Sequence, residues 1–243
     1  MPEFGKAVPA LMYHKIGQPP PSSRLKGTYV SRELFALQMR ELAAKGFRST
    51  GMADALVPPA APNRKVVITF DDGFRNVLEN AVPALEAHQF KAIQFIVHDL
   101  MGATNRWDSH EPQEALMTKQ EVQEWLRLGH EIGSHTLTHP DLTRISDAQL
   151  REEVVASKKA LEDAFAVKIR HFCYPFGKFD ARAVQAVEEA GYETACTIVF
   201  GYPTAATNRF EIPRLFVGHH RYCSQHPVVQ MMRRAVKFAL RRK

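Results

Sequence analysis

The sequence predicts an α/β protein built from six or seven β-α units, arranged either as a barrel or as a wound parallel sheet. Apolar runs of strand length alternate along the chain with longer segments of helical period. The chain has 243 residues, of which 45% are hydrophobic and 24% charged, and this size suits one large globular domain. Carboxylate and histidine residues follow several of the apolar runs, where the loops of such a fold converge.

The predicted elements follow one another along most of the chain. The first strand covers residues 8–13 and leads into a proline-rich loop. A helix then begins at a Ser31 cap and ends at Gly46. After a second proline-rich loop, the apolar run Lys65–Phe70 predicts a buried parallel strand. The remaining strands are predicted at residues 92–97, 130–134, 171–174, 194–199 and 212–217, and the remaining helices near 74–88, 118–128, 147–165 and 180–190.

The net charge of +6 comes from the end of the chain. Residues 226–243 carry six basic residues and no acidic one, so the rest of the chain is balanced. This distribution argues against a nucleic-acid partner. Within 226–243, apolar residues at helical spacing alternate with lysine and arginine, which predicts a short amphipathic helix. It would lie on an anionic membrane surface or, equally, pack on the core as a last helix with a basic rim.

Cellular location is predicted from three further features. No apolar run reaches the length of a membrane span, and the start of the chain has neither a basic nor an apolar signal region. The three cysteines, Cys173, Cys196 and Cys223, are too widely spaced for a CxxC motif and imply no disulfide framework. We therefore expect a cytoplasmic protein, although a removed signal peptide would leave the same sequence.

Two adjacent carboxylates, Asp71 and Asp72, come directly after the predicted strand Lys65–Phe70 and before Gly73. Because like charges repel, a buried strand end that keeps both usually needs a cation or a shared proton. The alternative is that Asp72 caps the helix that follows Gly73.

Three histidines, His130, His135 and His139, lie within ten residues of one another. The spacing of His135 and His139 allows both to bind one ion, although an ordinary polar role is equally expected for such a pair alone. With Asp72 they would offer two imidazoles and one carboxylate, which leaves a position open for water and substrate. His130 begins its strand and should lie at the opposite end of the sheet.

Four short segments together point to a known family. Residues 69–73 (TFDDG) and 134–139 (SHTLTH) resemble the first two motifs of the polysaccharide deacetylases, also called carbohydrate esterase family 4 or the NodB-homology domain. Residues 174–177 (YPFG) resemble the third motif, and 11–14 (LMYH) is similar to a segment of the subgroup that deacetylates exopolysaccharides. The resemblance covers most of residues 8–220. It implies a distorted (β/α) barrel with about seven strands, which we expect as one catalytic domain over 1–225 followed by the helix at 226–243.

The resemblance also implies roles for individual residues. Asp72, His135 and His139 match the ligands of a divalent metal, with Zn²⁺ expected first and Co²⁺, Ni²⁺ or Mn²⁺ as alternatives. Asp71 matches the general base that takes a proton from the attacking water.

Four more residues are candidates for contacts with the substrate. By similarity, the backbone N–H of Phe176 would hold the oxyanion, and Tyr174 beside it is a second candidate contact. A histidine after the last strand would protonate the leaving amine. His219 is the first choice and His220 the second, with a polar surface turn as the alternative for the pair.

The chain departs from the family pattern at two places. Cys173 stands where the third motif usually has an arginine, so we expect Arg214 on the last strand to hold Asp71 instead, with Arg170 as a weaker alternative. No tryptophan matches the usual fourth motif. Trp107 either flanks the sugar groove or is an ordinary loop residue, and His14 either lines the groove or packs in the core.

These observations predict a metal-dependent deacetylase that acts on an N-acetylated amino sugar. Because no export signal is seen, a lipid-linked sugar, a lipopolysaccharide core or another glycan precursor is expected before a finished polymer, with the protein peripheral on the inner membrane. Three alternatives stay open: an exported exopolysaccharide deacetylase, a non-catalytic glycan-binding relative, suggested by the missing motif arginine, and a hydrolase of small non-sugar amides.

Overall fold

Seven parallel strands close into a barrel in the computed structural model, which describes residues 7–57 and 64–218. In chain order the strands are β1 (Ala10–Tyr13), β2 (Lys15–Ile16), β3 (Tyr29–Val30), β4 (Arg48–Ser49), β5 (Lys65–Phe70), β6 (Ile93–Ile96), β7 (Glu131–Ser134), β8 (His171–Cys173), β9 (Thr194–Phe200) and β10 (Ile212–Phe216). The barrel order is β1, β10, β9, β8, β7, β6, β5, and β1 pairs with β5 to close it. Strand β4 extends the sheet beyond β5, and β2 and β3 form a separate pair.

Six α-helices are found among the described residues: α1 (Arg32–Ala44), α2 (Arg75–Ala87), α3 (Lys119–Arg127), α4 (Asp147–Arg151), α5 (Ser157–Phe165) and α6 (Ala181–Glu189). The predicted Ser31 cap is present, because its side chain accepts from the Leu34 N–H. Helix α3 begins with a capping box between Thr118 and Glu121. Helices α4 and α5 are continuous through a single π-helical turn, Glu152–Ala156.

The interior of the barrel changes from apolar to polar along its axis. Small and medium apolar side chains such as Val67, Ile93 and Ile212 form one buried cluster. A larger cluster, which includes Phe35, Leu85 and Trp125, packs the helices against the barrel. Nearer the carboxyl ends of the strands the interior contains the buried polar residues Thr69, Asp71 and Arg214. A charged group at this depth must be paired, which directs attention to this end of the barrel.

The predicted fold class is confirmed, and each strand and helix predicted within the described ranges is present. Strand β5 has its predicted bounds, whereas the two-residue strands β2, β3 and β4 and the π turn are additions. The predicted helix over 226–243 and the histidines at 219 and 220 lie outside the described residues. Among the helices that are described, we find none with the length and apolar character needed to cross a membrane.

Candidate active site

One cavity opens at the carboxyl ends of the barrel strands, where polar residues follow β1, β5, β7 and β8. It brings together most of the site residues predicted from the sequence: His14, Asp71, Asp72, Trp107, His135, His139, Tyr174 and Phe176. The parallel direction of all the strands explains this convergence, because their carboxyl ends meet at one rim.

Asp72, His135 and His139 converge on a point that fits a metal ion. One donor atom from each lies within 4.8 Å of the others, and all three residues are buried. Asp72 Oδ1 is 3.3 Å from His135 Nε2 and 3.4 Å from His139 Nε2. His135 Nδ1 donates to the Cys173 carbonyl at 2.7 Å, which leaves the Nε2 lone pair directed toward Asp72. Two imidazoles and one carboxylate are a donor set that suits a divalent cation.

The backbone around these ligands is held in the left-handed region. Asp72, Thr136, His139 and Phe176 have φ values of 74°, 71°, 65° and 56°. Such non-glycine residues store strain and are typical of functional sites. The alternative that Asp72 serves as a helix cap is wrong, since α2 has Phe74 at its N-cap and no side-chain cap bond.

Hydrogen bonds to Glu153, a residue of the π turn, hold the loop that carries His135 and His139. The Glu153 carboxylate accepts from the Leu137 N–H at 2.8 Å and from the Thr138 N–H at 3.0 Å, and the Thr138 hydroxyl also donates to it. The loop is further closed by a bond from the His139 N–H to Thr136 Oγ1. Glu153 therefore acts on the spacing of His135 and His139 without touching either imidazole.

Asp71 is paired with Arg214, the contact expected from the missing motif arginine. Two parallel bonds of 2.7 Å join the guanidinium to the two carboxylate oxygens, and both side chains are buried. Burial is the largest single effect on the Asp71 carboxyl and raises its pKa, but the charge and hydrogen bonds of Arg214, together with the nearby imidazoles, hold the pKa below its usual value. Arg214 also donates to Cys173 Sγ at 3.2 Å. Arg170 lies away from the site and faces Glu193.

Aromatic rings enclose His139. The Trp107 indole is stacked on its imidazole, with ring centroids 4.2 Å apart, and the Phe176 ring meets it edge to face at 4.5 Å. Trp107 is therefore a neighbour of a candidate metal ligand rather than an ordinary loop residue. Phe176 is 41% exposed at the cavity, and its N–H has no acceptor within the described part of the chain. That N–H is available to a ligand oxygen.

Tyr174 and His14 differ in what they offer to the cavity. The Tyr174 side chain is buried, and its hydroxyl donates to the Phe210 carbonyl at 3.0 Å. The hydroxyl is therefore held in the core although the residue lines the cavity, and the contact of Tyr174 with the substrate stays a prediction. His14 lines the cavity, and its Nε2 lies 3.9 Å from Asp71 Oδ2. Of the two alternatives for His14, the structure favours the groove.

Sequence analysis missed Lys15 and Asp108, which also line this cavity. Lys15 follows His14 directly and Asp108 follows Trp107, so their positions beside predicted site residues were the available signal. Glu153 had no such signal, because it lies within a helical pattern.

Comparisons with known proteins agree with this site. The family model described as "Polysaccharide deacetylase" matches residues 59–195, more than half of the chain. YxkH of Bacillus subtilis, whose name places it among the polysaccharide deacetylases, is 26% identical over 215 residues, which cover 87% of this chain and 71% of that protein. The poly-β-1,6-N-acetyl-D-glucosamine N-deacetylase of Staphylococcus aureus is 23% identical over 209 residues, with coverages of 81% and 70%.

A solved structure shows the same fold. The Streptococcus pyogenes deacetylase PplD, in complex with acetate, superposes with a TM-score of 0.79 over 93% of this chain and 98% of that chain, at 22% sequence identity.

Proposed function

Because the chain belongs to the polysaccharide deacetylase family, we propose that it hydrolyses the N-acetyl group of an amino sugar in a glycan and releases acetate. The observation that carries the proposal is the paired carboxylate of Asp71 beside the converged donor atoms of Asp72, His135 and His139. This arrangement places a proton acceptor next to a candidate cation site, which is what hydrolysis of an unreactive amide requires.

We assign a different role in the reaction to each group of residues in the cavity. Asp72, His135 and His139 would hold a divalent cation, Zn²⁺ first among the candidates, which when bound polarises a carbonyl group and makes water more acidic. Asp71 accepts the proton of the attacking water, while Arg214 keeps the carboxylate ionised and oriented.

Two more groups complete the hydrolysis. The Phe176 N–H donates to the carbonyl oxygen as negative charge develops on it. The carbon–nitrogen bond then breaks, acetate leaves and the sugar nitrogen takes a proton. We propose His219 as its donor and His220 as the alternative. Among the described residues, His14 is the further imidazole at the cavity that is not a candidate metal ligand.

The substrate we propose is a glycan that contains N-acetylglucosamine. The name of the Staphylococcus aureus relative specifies a β-1,6-linked polymer of this sugar, which makes such an oligomer the first compound to test. The lipid-linked precursor predicted from the sequence carries the same acetamido group and is the second.

The test compares the wild type with Asp71→Asn. Both zinc-loaded proteins are incubated with a β-1,6-linked N-acetylglucosamine oligomer and with a cell-envelope glycolipid extract, and the loss of acetyl groups is followed by mass spectrometry. We expect deacetylation by the wild type and a loss of about 100-fold or more in Asp71→Asn, because the proton acceptor is removed. Bound zinc, measured by elemental analysis, stays at the wild-type level in the variant.

The matched control is Asp99→Asn, which alters an exposed carboxylate outside the cavity and should keep full activity. Zinc-loaded wild type that deacetylates neither substrate would contradict the proposal and favour the glycan-binding alternative. The reason for that alternative was the missing motif arginine, and Arg214 now accounts for it. Equal activity of Asp71→Asn and wild type would contradict the role given to Asp71.

A further inference from the structure

Lys15 is a buried lysine whose side chain borders the cavity. It is only 2% exposed, and its Nζ lies 4.5 Å from the centre of the Phe74 ring and 4.8 Å from that of Tyr29. Besides these rings, only burial and charges at a distance act on Nζ in residues 7–57 and 64–218, and no hydrogen-bond acceptor contacts it there. Cation–π contacts offset part of the cost of removing an ammonium group from water, but they satisfy none of its N–H donors. These donors are left for a ligand.

The charges around Lys15 indicate what kind of ligand it accepts. Burial lowers the pKa of the Lys15 ammonium, while carboxylates that do not touch it favour its charged form. These are Asp72, Glu114, Asp108 and Glu111. At the position of Lys15, as distinct from the candidate cation site, these negative charges disfavour an anionic ligand. An uncharged oxygen, such as that of a hydroxyl group, is the acceptor that fits.

Asp108 provides the complementary group in the same cavity. It comes directly after Trp107, and its N–H donates to the Asn105 carbonyl at 3.0 Å. The buried Asn105 side chain in turn accepts from the Glu114 N–H at 2.7 Å, which fixes the turn. Burial raises the pKa of the Asp108 carboxyl, and a hydrogen bond with the Asn105 side chain acts in the opposite direction and favours the ionised form. Its carboxylate is therefore an acceptor held at the cavity by a rigid turn.

We propose that Lys15 and Asp108 bind hydroxyl groups of the N-acetylated sugar ring and so make the enzyme selective for sugar amides. A hydroxyl group both donates and accepts hydrogen bonds, whereas an ammonium only donates and a carboxylate only accepts. The pair thus matches a polyhydroxylated ring better than it matches a simple amide. This inference rests on the proposed deacetylation and names two groups that select its substrate.

The experiment uses Lys15→Met, which keeps the length of the side chain and suits the aromatic surroundings. Acetate release from a β-1,6-linked N-acetylglucosamine tetramer is measured, together with inhibition by sodium acetate. We expect kcat/KM for the tetramer to fall about 10- to 100-fold, mainly through KM, as for loss of a charged hydrogen bond. The inhibition constant of acetate, which has no hydroxyl group, should change less than about twofold.

Lys158→Met is the matched control, since Lys158 also lies over an aromatic ring, that of Tyr192, but away from the cavity. It should leave both constants unchanged. Asp108→Asn is the second variant, for use if Lys15→Met does not fold, and should also raise KM for the tetramer.

The outcomes separate this inference from the proposed function. An unchanged KM in both cavity variants would overturn the inference while wild-type acetate release still supports the function. An equal rise in the KM for the tetramer and the inhibition constant of acetate would also overturn it, because Lys15 would then act through the metal ligands or the fold. If the wild type releases no acetate from any glycan, the proposed function and this inference fail together.

Discussion

Arg214 and Asp71 form an ion pair that the barrel encloses, far from the surface where such pairs contribute little. Their two hydrogen bonds are joined by bonds from Arg214 to Thr69 Oγ1 and to the Thr197 carbonyl. A buried charge without its partner is strongly destabilising, whereas a buried pair replaced as a whole is often neutral. The two residues should therefore behave as a unit in folding as well as in chemistry.

This pairing predicts a non-additive effect on stability. Arg214→Met should lower the free energy of unfolding by about 3–5 kcal/mol, because Asp71 is left buried and unpaired. Adding Asp71→Asn to Arg214→Met should recover a large part of that loss, as urea denaturation of the metal-free proteins would show. Arg170→Met, at an exposed position, is the control and should have little effect. Losses that simply add in the double variant would show that the two residues are independent.

Arg214 and Lys15 differ in whether their place in the site could be predicted from the sequence. Arg214 was predictable because the family resemblance left Cys173 where an arginine is usual, and the last strand offered an arginine in its place. The position of Lys15 in the site was not predictable, because the rings that surround it belong to Tyr29 and Phe74, which are distant in sequence. A contact of that kind depends on the closed fold and leaves no local pattern.

At the scale of elements, the π turn Glu152–Ala156 interrupts a regular helix and makes contacts with neighbouring elements. The Val154 carbonyl accepts from Ser157 Oγ at 3.1 Å and from the Tyr192 hydroxyl at 3.0 Å. Ser157 Oγ is also 2.8 Å from the hydroxyl of Ser134, at the end of β7. The turn therefore ties the helix to the strand that leads into the histidine loop, and it places Glu153 against that loop. Single π turns are often found at functional sites.

Glu153 should therefore affect the metal site without binding the metal. Glu153→Ala removes the acceptor for two N–H groups of the histidine loop, so we expect zinc affinity to fall about 10- to 100-fold. Competition with a chromophoric chelator measures this affinity directly. The adjacent Glu152→Ala, which alters an exposed side chain, is the control and should bind zinc as the wild type does. Equal affinities in the three proteins would show that the loop keeps its shape without Glu153.

Helical periodicity predicted a single helix over 147–165, and the structure has one there, but nothing in that pattern marks the π turn. The turn depends on Tyr192 and Ser134, which lie on other elements. By contrast, the bounds of β5 were predictable because a continuous apolar run ends at two carboxylates and a glycine. Local signals thus located the regular elements, and tertiary contacts produced the exception.

For the molecule as a whole, the two ends of the barrel differ in the polar groups that they contain. The carboxyl end holds the cavity, and the amino end contains His130, as expected from its place at the start of β7. The His130 ring is stacked on Trp125 at 4.1 Å, and its Nδ1 accepts from the Ala92 N–H at 3.2 Å. Burial, with a smaller effect of Lys91, lowers the pKa of His130 to about 4. The folded protein therefore holds this imidazole neutral.

The stability of the whole protein should consequently depend on pH through His130. Its pKa is near 6.5 in the unfolded chain and lower in the folded one, so its contribution is complete above pH 6.5 and is lost as the pH falls toward 4. Between pH 6.5 and pH 4, we expect the free energy of unfolding of the wild type to fall by up to about 3 kcal/mol more than that of His130→Gln. Urea denaturation of both proteins measures the difference. His110→Gln, at an exposed position, should follow the wild type. Parallel profiles for wild type and His130→Gln would contradict the assignment.

Some predictions for the whole chain remain predictions. The membrane contact proposed for 226–243, the boundary after residue 225, the cytoplasmic location and the roles of His219 and His220 all concern features that the described residues do not test. The number of strands followed from the alternating pattern. That the strands close into a barrel followed from the resemblance to the family, since closure depends on the pairing of the first and last strands.

That closure has a consequence for how the protein is made. Strand β1 pairs with β5 on one side and with β10 on the other, and Leu11 lies opposite Leu215. Of the barrel strands, a ribosome delivers β1 first and its second partner β10 last, so one edge of β1 stays open meanwhile. Contacts between such distant parts of a chain form slowly. The growing chain cannot complete its barrel strand by strand, and it depends on the last part of the fold to protect the first.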